Sequence, residues 1–149
     1  MKISVTELLT LLWLLVAFVT WLLTHLKTRK DQKVSNTVQV VNNLSIVSHL
    51  LDADLKIRNE LKKNNDFKPN ELSEELEEKL IIILDYYEFL ARLYWEGVAD
   101  RKSIEHLRGR LILELYKASS NYINYWRDNL GRDDLYKQLE KLSNEIAAN

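Results

Sequence analysis

Residues 8–26, LLTLLWLLVAFVTWLLTHL, contain no Asp, Glu, Lys or Arg, and no other feature restricts the possible folds so severely. At about 1.5 Å per residue these nineteen residues extend roughly 28 Å, close to the hydrocarbon thickness of a bilayer. The threonines are compatible with such a setting because their hydroxyls can bond back to the helix, and His25 lies near one interface. Trp13 and Trp21 are too central for an aromatic belt and are expected to face lipid or a partner helix. The run is apolar all round, whereas a helix buried in a globular core carries a polar stripe. A cleaved signal peptide fits less well: the stretch is long, Glu7 precedes it, and Thr24-His25-Leu26 lacks small residues at a cleavage site. The expectation is a single transmembrane helix over residues 8–26.

Charge orients that helix. Lys27, Arg29, Lys30 and Lys33 follow it with Asp31 as the single acid, so the positive-inside rule keeps this end in the cytoplasm and the short N-terminus outside. Of the chain's 21 basic and 22 acidic side chains, 16 and 20 lie from Val34 onward, a net charge of -4. An acidic balance argues against general nucleic-acid binding, which needs a basic surface.

The chain contains no cysteine, 3 Gly and 1 Pro. Disulfides, thiolate metal sites and cysteine nucleophiles are therefore excluded, and the scarcity of turn residues favours long helices over hairpins. From Lys27 to Lys63, apolar residues recur at threes and fours: Val34, Val38, Val41, Leu44, Val47, Leu51, Leu55 and Leu61. This pattern predicts a helical stalk, closed by Asn64-Asn65-Asp66 and Pro69. A second helix begins near Asn70 or Ser73 with acids in its first turns, which suits the helix dipole. Its buried face is Leu76, Leu80, Ile83, Leu84, Tyr87, Leu90, Ala91 and Tyr94, and Gly97 ends it as a left-handed cap. A third starts at Asp100 or Ser103 with a stripe of Ile104, Leu107, Leu111, Leu115, Ala118, Tyr122 and Trp126. Gly131 breaks it before a short helix carrying Leu135, Leu139, Leu142 and Ile146. The predicted fold is all-α: residues 1–26 as outer terminus and membrane helix, 27–63 as basic juxtamembrane segment and stalk, and 64–149 as a cytosolic bundle of three to four helices.

Candidates for chemistry are sparse. Arg101, Lys102, Arg108 and Arg110, with His106, gather positive charge at the start of the third helix, where it opposes the dipole. A bound anion or an acidic partner would relieve that opposition, as would local pairing with Glu96, Asp100, Glu105 and Glu114. Glu88 lies within an apolar stretch and needs a partner, with Arg92 or a basic residue of the third helix expected to pair with it. His25, His49 and His106 are too scattered for a metal site, and neither a phosphate-cradling glycine loop nor a nucleophile elbow is present. No cofactor is expected.

The pair Arg101-x-x-x-x-His106 resembles the R-x(4–6)-H motif of HEPN ribonucleases, in which motifs paired across a dimer activate an RNA 2′-hydroxyl. That resemblance implies a metal-independent ribonuclease with Arg101 and His106 as catalytic residues. Over a larger span, residues 83–97 (ILDYYEFLARLYWEG), 118–127 (ASSNYINYWR) and 135–142 resemble an uncharacterised bacterial membrane-anchored helical family, a domain of unknown function. The similarity covers most of residues 43–146, and Glu88, Gly97, Tyr122, Ile123 and Arg127 fall on its recurring positions. It implies one N-terminal membrane helix and structural roles for these residues. In layout alone the chain is similar to the pore-forming accessory protein of RNA-targeting CRISPR systems, which implies a ring-forming membrane effector of phage defence.

The leading expectation is a non-enzymatic, single-pass protein of the bacterial inner membrane. It would act by self-association or by recruiting a cytosolic protein, with the lipid bilayer and further copies of itself as partners. The alternatives are the HEPN-like ribonuclease and a passive membrane adaptor.

Overall fold

A computed structural model describes the backbone of residues 5–46, 48–63 and 66–148, and the side chains of 13–41, 48–63 and 66–148. The described residues form five helices and no strands: α1 (Val5–Ile46), α2 (Ser48–Leu61), α3 (Glu74–Trp95), α4 (Arg101–Leu130) and α5 (Lys137–Ala148).

Local chemistry sets most boundaries. Ser73 is the N-cap of α3, its hydroxyl accepting from the Leu76 N–H at 3.3 Å, and Glu74, Glu75 and Glu77 occupy the positive end of the dipole. At the other end Gly97 takes φ 67°, Gly97 N–H donates to Tyr94 O, and Val98 N–H donates to Leu93 O. This is a Schellman closure, which needs a left-handed residue at the position glycine occupies. Asp100 then caps α4 by accepting from both the N–H and the hydroxyl of Ser103, at 2.9 and 2.7 Å. Gly131, again left-handed, ends α4.

α3 is the central element. Leu80, Ile83, Leu84, Tyr87, Leu90, Ala91 and Tyr94 are buried along it, and α2, α4 and α5 all pack against it. Each such large side chain removed from water contributes about 1.5–3 kcal/mol before the entropy of ordering is counted. On α4 the buried line differs from the predicted one. It runs through Ile104, Gly109, Ile112, Leu115, Ala118, Ser119, Tyr122 and Ile123, while Leu107 is 45% exposed and Leu111 only partly covered. Gly109, which has no side chain to mark it as apolar, faces Ile146 of α5.

α1 divides into two regions. From Trp13 to Lys33 every described side chain is exposed. Burial starts at Thr37, whose hydroxyl donates to Lys33 O and accepts from the Asp100 N–H, each at 2.7 Å. Val41 is buried one turn later, and Tyr86 of α3 donates to Val40 O at 3.2 Å. The lower part of the predicted stalk lies inside the bundle, because α2 packs on α3 through Ala53, Asp54 and Ile57. Leu51 and Leu55 of the predicted stripe are exposed, as is Val38, while Leu44 and Val47 lie outside the described side chains.

Among the described residues no helix is long and apolar enough to cross a membrane. The spanning helix read from residues 8–26 is thus not an established element, and the side chains of residues 8–12 lie outside those described.

The Ser103 hydroxyl holds the Asp100 carboxyl below its ordinary pKa, with the Ser103 N–H assisting and burial opposing. A lowered folded-state value means that the cap is fully effective above the unfolded value of about 3.9 and fades as pH falls through the folded one. Asp100→Ala should cost about 1 kcal/mol at neutral pH. Asp100→Asn, which keeps a capping oxygen, should flatten the decline in unfolding temperature below about pH 4. An acid limb identical to that of the parent protein would contradict this role.

Candidate functional site: a basic groove between two helices

Arg58, in the last turn of α2, and Lys62, in the turn just past its end, line an open groove of roughly 730 Å³ together with the middle of α4. From α4 the groove receives His106, Arg108, Arg110 and Lys117, with Glu114 as the one acid among its lining residues. Leu61, Leu107 and Leu111 supply an apolar strip along the same walls. The α4 contribution arises from helical periodicity, since positions 107, 110, 114 and 117 fall on one face.

Part of this charge is already matched. Arg110 Nε meets Glu114 Oε1 at 2.7 Å, although the arginine is 91% exposed and such a pair stabilises little. Arg58 Nε lies 2.8 Å from Oδ2 of Asp54, which is buried, yet it is not aligned for a hydrogen bond. Arg108 Nε is also buried without a hydrogen-bond partner. Lys62, His106 and Lys117 have no ion-pair partner among the described residues. Behind the groove stands Tyr87, whose buried hydroxyl lacks a partner. Burial pushes that phenol well above its ordinary pKa, and the charge of Arg108 partly opposes the shift.

The structure thus separates the basic cluster read from the sequence. Arg108 and Arg110 enter the groove with His106 beside them. Arg101 does not: its guanidinium stacks over the rings of Tyr94 and Trp95, at 4.9 and 5.7 Å from their centroids. Lys102 is exposed and lines no part of the groove. Five residues along a helix amount to roughly 140° of rotation, so Arg101 and His106 point in different directions within one chain. Of the local acids expected to neutralise the cluster, only Glu114 is so paired. Asp100 caps α4, and Glu105 accepts from the Tyr94 hydroxyl at 2.9 Å. Arg58 and Lys62 carry no sequence signal for the groove, because only the packing of α2 beside α4 brings them to it. Lys117 follows Arg110 and Glu114 along one face of α4, and helical spacing could have found it.

Of the residues expected to be structural, Glu88 and Arg127 form a polar seam that docks α5, while Tyr122 joins α4 to α3 and Gly97 ends α3. Glu88 does not pair with Arg92 or with a basic residue of α4. It caps α5, accepting from the N–H groups of Gln138 and Leu139 at 3.3 and 2.8 Å, so the positive end of that helix satisfies the carboxylate. Tyr136 precedes α5 with φ 54°, a conformation unusual for a bulky residue, and its hydroxyl donates to Asp85 at 3.0 Å. Tyr122 donates to Glu77 at 2.9 Å. Arg127 grips the turn before α5 through two bonds to Leu135 O, at 2.9 and 2.7 Å, and meets Glu140 at 2.9 Å. Burial would raise the Glu140 carboxyl, but hydrogen bonds from Lys137 and Arg127 outweigh it and hold the group below its ordinary value.

Arg127 is only 11% exposed, so Arg127→Ala should lose about 2 kcal/mol of stability by leaving Leu135 O and Glu140 without their donor. It should also speed hydrogen exchange along α5 selectively. Arg110→Ala, at the exposed pair, should leave the unfolding midpoint unchanged. Equal effects of the two substitutions would refute this ranking.

No curated protein and no solved structure matches the chain. A family described as Domain of unknown function (DUF4760) matches residues 5–146, nearly the whole length. The match takes in α1 as well as the bundle with its groove and polar seam, and the chain belongs to this family.

Proposed function

We propose that the protein is tethered to a lipid bilayer by the apolar part of α1, and that it works on the cytoplasmic side by associating with further copies of itself. The observation that carries this reading is the unpartnered surface of α1. Trp13, Leu14, Leu15, Val16, Phe18, Val19, Trp21, Leu22, Leu23 and Leu26 are all exposed, at 39–71%. Apolar surface of that extent marks a membrane or protein contact. Consecutive residues such as Trp13 to Val16 point in every direction around the helix. Lipid covers all of these directions, whereas a single coiled-coil seam covers one.

Two further features support a bilayer. Thr20, Thr24 and Thr28 each donate to the carbonyl four residues earlier, at 2.8–2.9 Å, so their hydroxyls do not require water. The basic residues Lys27, Arg29, Lys30 and Lys33 follow directly and are exposed, which suits an anionic cytoplasmic leaflet. Self-association draws its support from Val38, Leu51 and Leu55, which remain exposed where α1 and α2 join the bundle. The divergence of Arg101 and His106 within the chain favours this reading over a ribonuclease.

Membranes carrying the full-length protein should retain it through an alkaline carbonate wash, and a version lacking residues 1–26 should be released. Dissolved in detergent, the retained protein should scatter light as a discrete oligomer. Release of the full-length chain by carbonate would remove the tether. A monomer across a wide concentration range would remove the self-association.

A further inference from the structure

We propose that the groove between α2 and α4 binds a small ligand of nucleotide size through more than one phosphate group. The charge balance is the first reason. Arg58, Lys62, Arg108, Arg110 and Lys117 gather around it, against Glu114 in the wall and Asp54 behind Arg58. Three positive charges are left uncompensated, and His106 adds a fourth when protonated. This concentration stands on a chain segment whose net charge is -4 from Val34 onward, so the positive field is local and steers a compact anion to one place.

The donors suit phosphate. The Nε of Arg108 is buried with neither a hydrogen-bond acceptor nor an ion-pair partner among the described residues, an arrangement that costs free energy, whereas Arg58 is held by Asp54 and offers its outer nitrogens. Planar guanidinium groups match phosphate oxygens in pairs, and the ammonium groups of Lys62 and Lys117 act as mobile point charges beside them. The dimensions also fit: roughly 730 Å³ lies within the range of small-molecule sites. Leu107, 45% exposed, together with Leu61 and Leu111, offers an apolar strip for the part of the ligand that bears no charge. The phosphates belong either to a soluble molecule or to a lipid headgroup, and the test separates these sources.

The experiment is calorimetric titration of the full-length protein in an uncharged detergent with ATP, inorganic tripolyphosphate, a water-soluble short-chain cardiolipin and citrate. Saturable binding of ATP and tripolyphosphate is expected, weaker as salt rises and about tenfold weaker in Lys62→Gln and in Lys117→Gln. Both lysines are exposed, so these variants keep the fold, which circular dichroism checks. Arg108→Met should abolish binding if its fold is likewise intact. Binding of cardiolipin alone, lost in the same lysine variants, would assign the phosphates to a lipid headgroup. Binding unchanged in both lysine variants, citrate binding as tightly as tripolyphosphate, or no saturation by any phosphate probe up to about 1 mM would each overturn the proposal.

Discussion

Thr37 is where α1 stops being a free helix and becomes part of a bundle. Its hydroxyl donates to Lys33 O and accepts from the Asp100 N–H, which would otherwise be an unpaired donor at the start of α4. Asp100 in turn caps α4 through Ser103. One hydroxyl therefore couples the end of the exposed rod to the beginning of the helix that carries most of the groove. Tyr86, reaching Val40 O from α3, makes the second attachment a turn away. If α1 lies in a membrane, these two contacts are where the bundle is held to it.

The remaining helices are placed by polar atoms on an otherwise apolar α3. Asp85 and Glu88 receive donors from Tyr136 and from the first turn of α5. Tyr94 donates towards Glu105 and Glu145, and Glu77 takes the Tyr122 hydroxyl. Apolar contact alone tolerates helices sliding past one another, whereas these bonds fix register, because the buried tyrosine hydroxyls of Tyr94, Tyr122 and Tyr136 and the first N–H groups of α5 must each find an acceptor. α5 is held on α4 through Arg127 and at Gly109, and the stretch of α4 beside the end of α2 is left open. The groove is thus what remains after three elements have packed on α3.

Four boundaries were legible because they rest on chemistry within four residues: Ser73, Gly97, Asp100 and Gly131 all act where their residue types predict, whereas the division of the predicted 27–63 stalk between α1 and α2 is marked by no glycine or proline. The buried face of α3 was legible for a related reason, since a strongly apolar helix has few alternatives. Tertiary placement was less so. Leu107 yields to Gly109 and Ile112 because α5 closes over the side of α4 where glycine sits, and apolar spacing gives glycine no weight. Leu51 and Leu55 matched a helical stripe, yet α3 covers the neighbouring face of α2, including the charged Asp54. Glu88 found neither of its expected partners, because backbone N–H groups of a helix fifty residues away satisfy it. The groove was half visible, as Arg108 and Arg110 on α4. Its other half, on α2, joins only through packing.

The apolar rod and the docked bundle make opposite demands on their surroundings, and under the proposed tether a bilayer boundary between Leu26 and Thr37 would meet both. The most direct test uses Trp13 and Trp21 as depth gauges, in full-length protein carrying Trp95→Phe and Trp126→Phe and reconstituted into vesicles of brominated lipid. A membrane-seated α1 predicts blue-shifted emission strongly quenched by bromine on the acyl chains. Emission typical of water, indifferent to the brominated lipid, would contradict it.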